Sequence, residues 1–347
     1  MRAREGDFVE TFDGLIFDVK GLFHPPGRIV AYLRYLPDGR GSRKRGGVRY
    51  RKVYSLYARD KLLARKWPQY IHLDPHLNRK VQAVPISRVK EHYIPSKKLA
   101  ELRREVKLDQ WERLAAKMAE TLMNESGISA SKIGVSGSIL VGLQTPNSDI
   151  DLIVYGIDAA RACRSKLESL LNSHSLGFEP YVRRDLRKLY AQRGLDSATS
   201  FETFVRHERT KVLEGKFRGT DYFIRCVKEW DELEENYGDK EYYPIGRVTL
   251  HATIDDDSES IFTPCTYHLS DANVTGKRLA PTEIVSFRGR FCEQARAGDN
   301  ILARGVLERI KDEHGVTHRV IIGENPLDCL VVVGKRSSLT KSPKRML

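Results

Sequence analysis

The stretch GVSGSILVGLQTPNSDIDLIVYG, residues 134–156, sets Asp149 and Asp151 in an apolar run that otherwise has the composition of a buried strand. In a strand, residues i and i+2 project from one face, so the two carboxylates point together while Ile150 and Leu152 face the other way. A rise of about 3.3 Å per residue puts their Cα atoms about 6–7 Å apart. Like charges that close need a cation or a hydrogen-bond network beside them. Gly137 and Ser138 supply a complementary half: glycine permits close backbone approach, and the serine hydroxyl can donate to a phosphate oxygen. Oxygen ligands of this hard kind suit Mg²⁺ or Mn²⁺, and Mg²⁺ is commonly held by a few carboxylates together with substrate phosphates. The structural alternatives are a turn and N-cap at Gly137–Ser138 and a turn acceptor at Asp149.

Outward from this stretch, strands and helices alternate. DQWERLAAKMAETLMNESG (109–127) spaces Trp111, Leu114, Ala115, Met118 and Leu122 on one helical face, with Gly127 as its stop. IGVSG reads as a strand, GSILVGL as a turn into a short helix, and DIDLIVYG as a second strand. AARACRSKLESLLNS, DLRKLYAQRG and SFETFVRHERTKVLEG follow with helical periodicity, before GTDYFIRCV (219–227) returns to strand composition. This alternation predicts an α/β core over residues 96–240.

Residues 1–95 carry β-like runs, LIFDVKGLF, RIVAYLRYL and RYRKVYSLYA, punctuated by HPPGR and PDGRG, and predict a β-rich N-terminal domain. Residues 241–334 hold GRVTLHATI, FTPCTYHL, EIVSFRGRF, NILARGVLERI and THRVIIG, the spacing of a small β-barrel-like domain, OB-like or another small barrel. Residues 335–347 read as a basic disordered tail. The fold class expected is α+β and multi-domain.

Lys and Arg number 59 against 46 Asp and Glu, a formal charge of +13 that favours polyanionic partners, with a solvated basic surface as the alternative. RGSRKRGGVRYRK (40–52) holds seven basic residues in thirteen. It reads as a hairpin tip offering Arg43, Lys44, Arg45, Arg49 and Arg51 to a phosphate backbone, or as a solvated loop. The five cysteines form no CxxC pair, which excludes a zinc ribbon and a disulfide framework. No N-terminal apolar region and no apolar run near about 18 residues is present, so a cytoplasmic protein with no membrane partner is expected.

A strand ending in Gly137–Ser138, ten intervening residues, and then Asp149-Ile150-Asp151-Leu152 resembles the signature of the DNA polymerase beta-like nucleotidyltransferase superfamily. SDIDL is similar to the compact nucleotidyltransferase domains, and the flanking domains are similar to those of uncharacterised predicted nucleotidyltransferases of archaea. The resemblance implies two-metal transfer of a nucleoside monophosphate from an NTP, with release of pyrophosphate. It implies Asp149 and Asp151 as metal ligands and Ser138 on the β- or γ-phosphate. Asp221 is the best match for the third metal-binding and catalytic acid. Glu229 and Asp231 have helical, exposed-looking neighbours, and Asp255–Asp257 look like a turn. Lys216 and Arg218, beside the third-acid strand, are candidates for neutralising the triphosphate or are ordinary surface charges. Tyr222 and Phe223 could stack on a base, with core packing the default, and His251 and His268 read as structural. Nucleic acid is the favoured acceptor, RNA ahead of DNA; protein and small-molecule acceptors stay open. The other class of function is a nucleic-acid-binding protein that keeps the fold without turnover.

Overall fold

A computed structural model describes residues 1–193 and 199–335. All of the expected tail except Lys335 lies outside the described residues. Three sheets and their helices make a mixed α/β architecture.

The first sheet contains β1 (Phe8–Thr11), β2 (Ile16–Val19), β3 (Arg28–Pro37), β4 (Arg43–Arg45), β5 (Val48–Lys52), β6 (Ile71–Asp74), β7 (Arg79–Pro85) and β8 (Val89–Tyr93). Its main path runs β4-β5-β3-β2-β1-β8, with β7 joined to both β3 and β6. The basic segment is the β4–β5 hairpin, closed by Gly46 (φ +53°) and Gly47 (φ +84°), whose left-handed backbone suits a tight two-residue turn. RYRKVYSLYA, expected as one strand, is divided: β5 stops at Lys52 and α1 spans Leu56–Lys66. Ser55 Oγ accepts the Ala58 N–H and caps this helix, and the following ARDKLLARK is rich in helix formers.

The central unit begins with α2 (Pro95–Leu102) and α3 (Gln110–Ser126), the latter opened by an Asp109–Glu112 capping box and ending just before Gly127. Then come β9 (Ile133–Val135), α4 (Gly137–Leu140), β10 (Ile150–Tyr155), α5 (Ile157–Ser173), β11 (Phe178–Glu179), α6 (Arg183–Arg193), α7 (Phe201–Glu208), β12 (Glu214–Phe217) and β13 (Thr220–Val227). The predicted helix through SFETFVRHERTKVLEG stops at Glu208, because its last residues enter β12. Sheet order is β11-β12-β13-β10-β9, with β10 parallel to β13 and antiparallel to β9. Alternation along β10 sends Ile150, Leu152 and Val154 into one core with Met118, Leu122 and Leu167 of α3 and α5. Ile153 and Tyr155 face the opposite way, against Leu22 in the segment between β2 and β3. The face that carries Asp151 is therefore the one turned toward the N-terminal sheet.

The third sheet closes on itself. β14 (Glu241–Asp256), β15 (Cys265–Val274), β16 (Glu283–Ser286), β17 (Asp299–Asp312) and β18 (Gly315–Ile321) pair in the order β14-β15-β16-β18-β17, and β17 returns to β14. The interior holds Leu250, Tyr267, Ile284, Leu307 and Val320. A strand not anticipated, β19 (Cys329–Lys335), adds to β17. Glu293, 1% exposed, docks this ring on the central unit: its carboxylate accepts the Val212 and Leu213 N–H groups at 2.8 and 2.9 Å and pairs with Arg164 at 2.7 Å. No helix among the described residues is long and apolar enough to cross a membrane.

Candidate active site

Gly137, Ser138, Asp149 and Asp151 line one cavity, so the sequence motif converges in space. Gly137 is fixed there by contact as well as by backbone. Its φ is +62°, and a Cβ on it would stand 1.8 Å from Asp151 Oδ2. Ser138 donates to Ser148 Oγ at 3.1 Å, and the same oxygen accepts the Thr145 N–H at 2.9 Å. The Thr-Pro-Asn-Ser turn thus clamps the serine, and the Trp111 indole N–H donates to Thr145 O to tie that turn to α3.

The remaining wall comes from the first sheet and from β13. Asp18 of β2, Arg34 and Tyr35 of β3, and Lys52 of β5 face the acid pair, and Phe223 and Arg225 join them from β13. Burial raises Asp151 to about 7, the Asp149 charge adds to the effect, and Arg225, Lys52 and Arg34 oppose it. Burial would also raise Asp18, but Lys20, Arg225 and Arg34 outweigh it and bring that carboxyl down to about 2. Burial and the nearby Arg34 charge lower Lys52 to about 8. Three carboxylates and three cations share a cavity of about 30 Å³, room for water or an ion and far below the few hundred Å³ of a nucleotide-sized site.

The other candidates are placed differently. Asp221, the second residue of β13, stands two residues before Phe223 on the same face, but its side chain is 55% exposed and pairs with Lys216 Nζ at 2.7 Å. Lys216 is thereby committed to Asp221, with Asp185 at 3.6 Å, and Arg218 sits exposed in the β12–β13 turn; neither lines the cavity. The antiparallel register sets Lys216 opposite Asp221, so the carboxylate is held by that lysine although the parallel pairing of Asp151 with Phe223 brings its strand position beside Asp149. Among the described residues no three His, Cys, Asp or Glu side chains are gathered closely enough to hold a metal. Tyr222 is core, its hydroxyl donating to Val212 O. His251 and His268 are exposed on the ring rather than buried.

The hairpin cations divide too. Arg43 is buried and donates to Leu143 O; Arg45 donates to Val141 O at 3.0 Å and pairs with Glu10. Both dock the hairpin on the loop after α4, beside an apolar contact of Phe8, Ile16 and Tyr35 with Leu140, Val141 and Leu143. Lys44 and Arg49 stay exposed, as does Arg51, paired with Asp38.

The cavity cations were missed because they arrive from distant segments. A shared signal did exist: Asp18 in LIFDVKGLF and Arg225 in GTDYFIRCV interrupt apolar strands just as Asp151 does. Interrupting charges of both signs are each other's natural partners.

A larger cavity, about 540 Å³, lies where the three sheets meet, and none of the sequence-predicted residues lines it. Its cations are already matched, Lys228 with Glu259 at 2.5 Å and Arg79 with Glu324 at 2.8 Å.

No family model and no solved structure matches the chain. It is 30% identical over 332 residues, covering 93% of this chain and 96% of its relative, to the uncharacterized protein MJ1086 of Methanocaldococcus jannaschii.

Proposed function

We propose that this chain, which belongs to the same family as that Methanocaldococcus jannaschii protein, is a metal-dependent nucleotidyltransferase of the DNA polymerase beta-like kind. The observation that carries the reading is the seating of Asp151 directly on Gly137, with Ser138 and Asp149 in the same cavity. A carboxylate held against a glycine at the start of a helix, with a second carboxylate beside it, is a hard-oxygen donor set that fits Mg²⁺ or Mn²⁺. Asp149 and Asp151 would hold the metal, and Asp221 would join them on exchanging Lys216 for it. When bound, such ions neutralise the triphosphate and lower the pKa of an attacking hydroxyl.

In the reaction proposed, an acceptor oxygen forms a bond to the α-phosphorus, the bond from that phosphorus to pyrophosphate breaks, and the hydroxyl proton passes to Asp221. Ser138 Oγ, which donates to Ser148 here, would turn its hydroxyl proton from Ser148 to a β- or γ-phosphate oxygen. Arg34, Lys52 and Arg225 replace Lys216 and Arg218 as the triphosphate's cationic neighbours. Since the cavity holds about 30 Å³, an NTP enters only as the β3–β5 wall moves away from the Gly-Ser turn. The closed strand ring supports an OB-like domain, a fold used for oligonucleotides, and with the basic surface it favours RNA over DNA or protein as acceptor.

One observation favours the second reading, a binding protein without turnover: Arg34, Lys52 and Arg225 share the cavity with the acid pair and partly offset its charge. The test is incubation of the protein with each α-labelled NTP, Mg²⁺ or Mn²⁺, and total RNA or total protein. Label transfer that disappears in Asp149→Ala supports the transferase. Transfer that survives this substitution refutes the mechanism, and absence of transfer with RNA binding intact selects the second reading.

A further inference from the structure

The segment 40–66 carries eleven Lys and Arg against a single acid, Asp60. Within it, Tyr54 and Tyr57 are 69% and 74% exposed, large rings with no core to fill. Lys52 joins them to the cavity: its side chain lines the wall facing Asp149 and Asp151, and its Nζ lies 5.1 Å from the Tyr54 ring centre. Tyr54 therefore stands at the mouth of the site. From there α1 leads away with Tyr57, Lys61 and Arg65 at i, i+4 and i+8, all exposed, while Arg59 and Leu63 are buried beneath. That stripe runs for about 12 Å, the reach of a few nucleotides of single strand.

We propose that Tyr54 and Tyr57, followed by Lys61 and Arg65, form a track for a single-stranded nucleic acid, bases stacking on the rings and phosphates meeting the cations, with its terminus delivered to the Asp149–Asp151 cavity. The delivery rests on the transferase reading; the track itself rests on the exposed rings and their charge. Charge sets the choice of occupant: the exposed cations of this segment, Lys44, Arg49, Lys61, Arg65 and Lys66 among them, match a phosphate backbone, and bare rings match unpaired bases. A duplex would keep its bases from the rings. This places the nucleic-acid contact on α1 and the segment before it, rather than on Arg43 and Arg45, which are spent on docking.

The experiment uses the full chain and a fluorescein-labelled oligouridylate, read by anisotropy across a salt series. Parent protein binds it, Tyr54→Ala and Tyr57→Ala each weaken binding roughly tenfold, and Phe at either position retains it. Lys61→Gln with Arg65→Gln flattens the plot of log affinity against log salt by about 1.4. In parallel, displacement of a fluorescent ATP analogue in Mg²⁺ is unchanged in the tyrosine variants and lost in Asp149→Asn. Undiminished oligouridylate binding by the Ala variants, or equal binding of a duplex, overturns the track. So does transfer of label to a protein at parental rate in those variants. Tyrosine-dependent oligouridylate binding with no ATP-analogue binding in the parent overturns the transferase reading while supporting the track.

Discussion

Replacing Gly137 with Ala tests the seating of the acid pair most directly. Two costs arise from separate causes. A left-handed backbone at φ +62° costs a residue bearing a Cβ about 1–2 kcal/mol. The new methyl also lands 1.8 Å from Asp151 Oδ2, 2.6 Å from its Cγ and 2.9 Å from its Cβ, so atoms must shift, and overpacking of this kind costs about 1–3 kcal/mol. Together they predict a loss of about 2–5 kcal/mol, measured as the shift of the urea midpoint at unchanged m-value. In an Asp151→Gly background all three crowding atoms are gone, and the same substitution should then cost only the backbone part, about 1–2 kcal/mol. Equal costs in the two backgrounds refute the crowding argument. A cost below about 1 kcal/mol in the parent refutes the backbone argument as well.

Asp151 and His207 should move stability in opposite directions with pH. Asp151 titrates near 7 folded and 3.8 ordinarily, so the metal-free protein holds a proton that the unfolded chain releases, and stability falls as pH rises from about 4 to about 7. Urea midpoints across that window should flatten in Asp151→Asn, and Mg²⁺ should raise the melting temperature more above pH about 7 than below about 5. His207 is pushed by burial, and then by the Lys211 and Arg206 charges, from 6.5 down to about 4. Its Nε2 accepts the Val332 N–H, so protonation breaks that bond, and up to about 3 kcal/mol is lost as pH falls from 6.5 toward 4. A His207→Gln protein that keeps the parental acid slope would count against this assignment. Arg45→Ala leaves Glu10, 3% exposed, with only Lys90 at 3.3 Å and the Tyr93 hydroxyl at 2.6 Å, and should cost about 1.5–3 kcal/mol by urea titration, whereas Lys44→Ala should stay within about 0.5. Similar losses for the two would undo the division of the hairpin into docking and exposed cations.

The parts of the fold legible in the sequence are those decided by short-range pattern. The i, i+2 alternation of DIDLIVY, the helix opened by Asp109 and stopped before Gly127, and the Gly46–Gly47 turn each depend on neighbours a few residues away. α1 was hidden because Val53 and Tyr54 continue the β-like run up to its cap, and local composition could not mark the change at Ser55. β19 carries a continuous apolar run, Leu330–Val333, without the alternation that marks a half-buried strand. At the site, Gly137, Ser138, Asp149 and Asp151 were legible as a motif. Arg34 and Lys52 were not, because docking over some hundred residues of chain leaves no local trace. Asp221 was read from its strand composition, and composition says nothing of the Lys216 opposite it.

The closing of β17 on β14 has a consequence for how the chain is made. On the ribosome the N-terminal sheet and the central unit emerge first, and either can begin to pack during synthesis. The ring cannot: β14 stays without its second neighbour until residues 299–312 have left the exit tunnel. Glu293 emerges only shortly before, so the amides of Val212 and Leu213 await their acceptor over the same interval. A nascent chain stalled before Asp299 would present a long strand edge, the kind of surface that chaperones cover and neighbouring chains pair with.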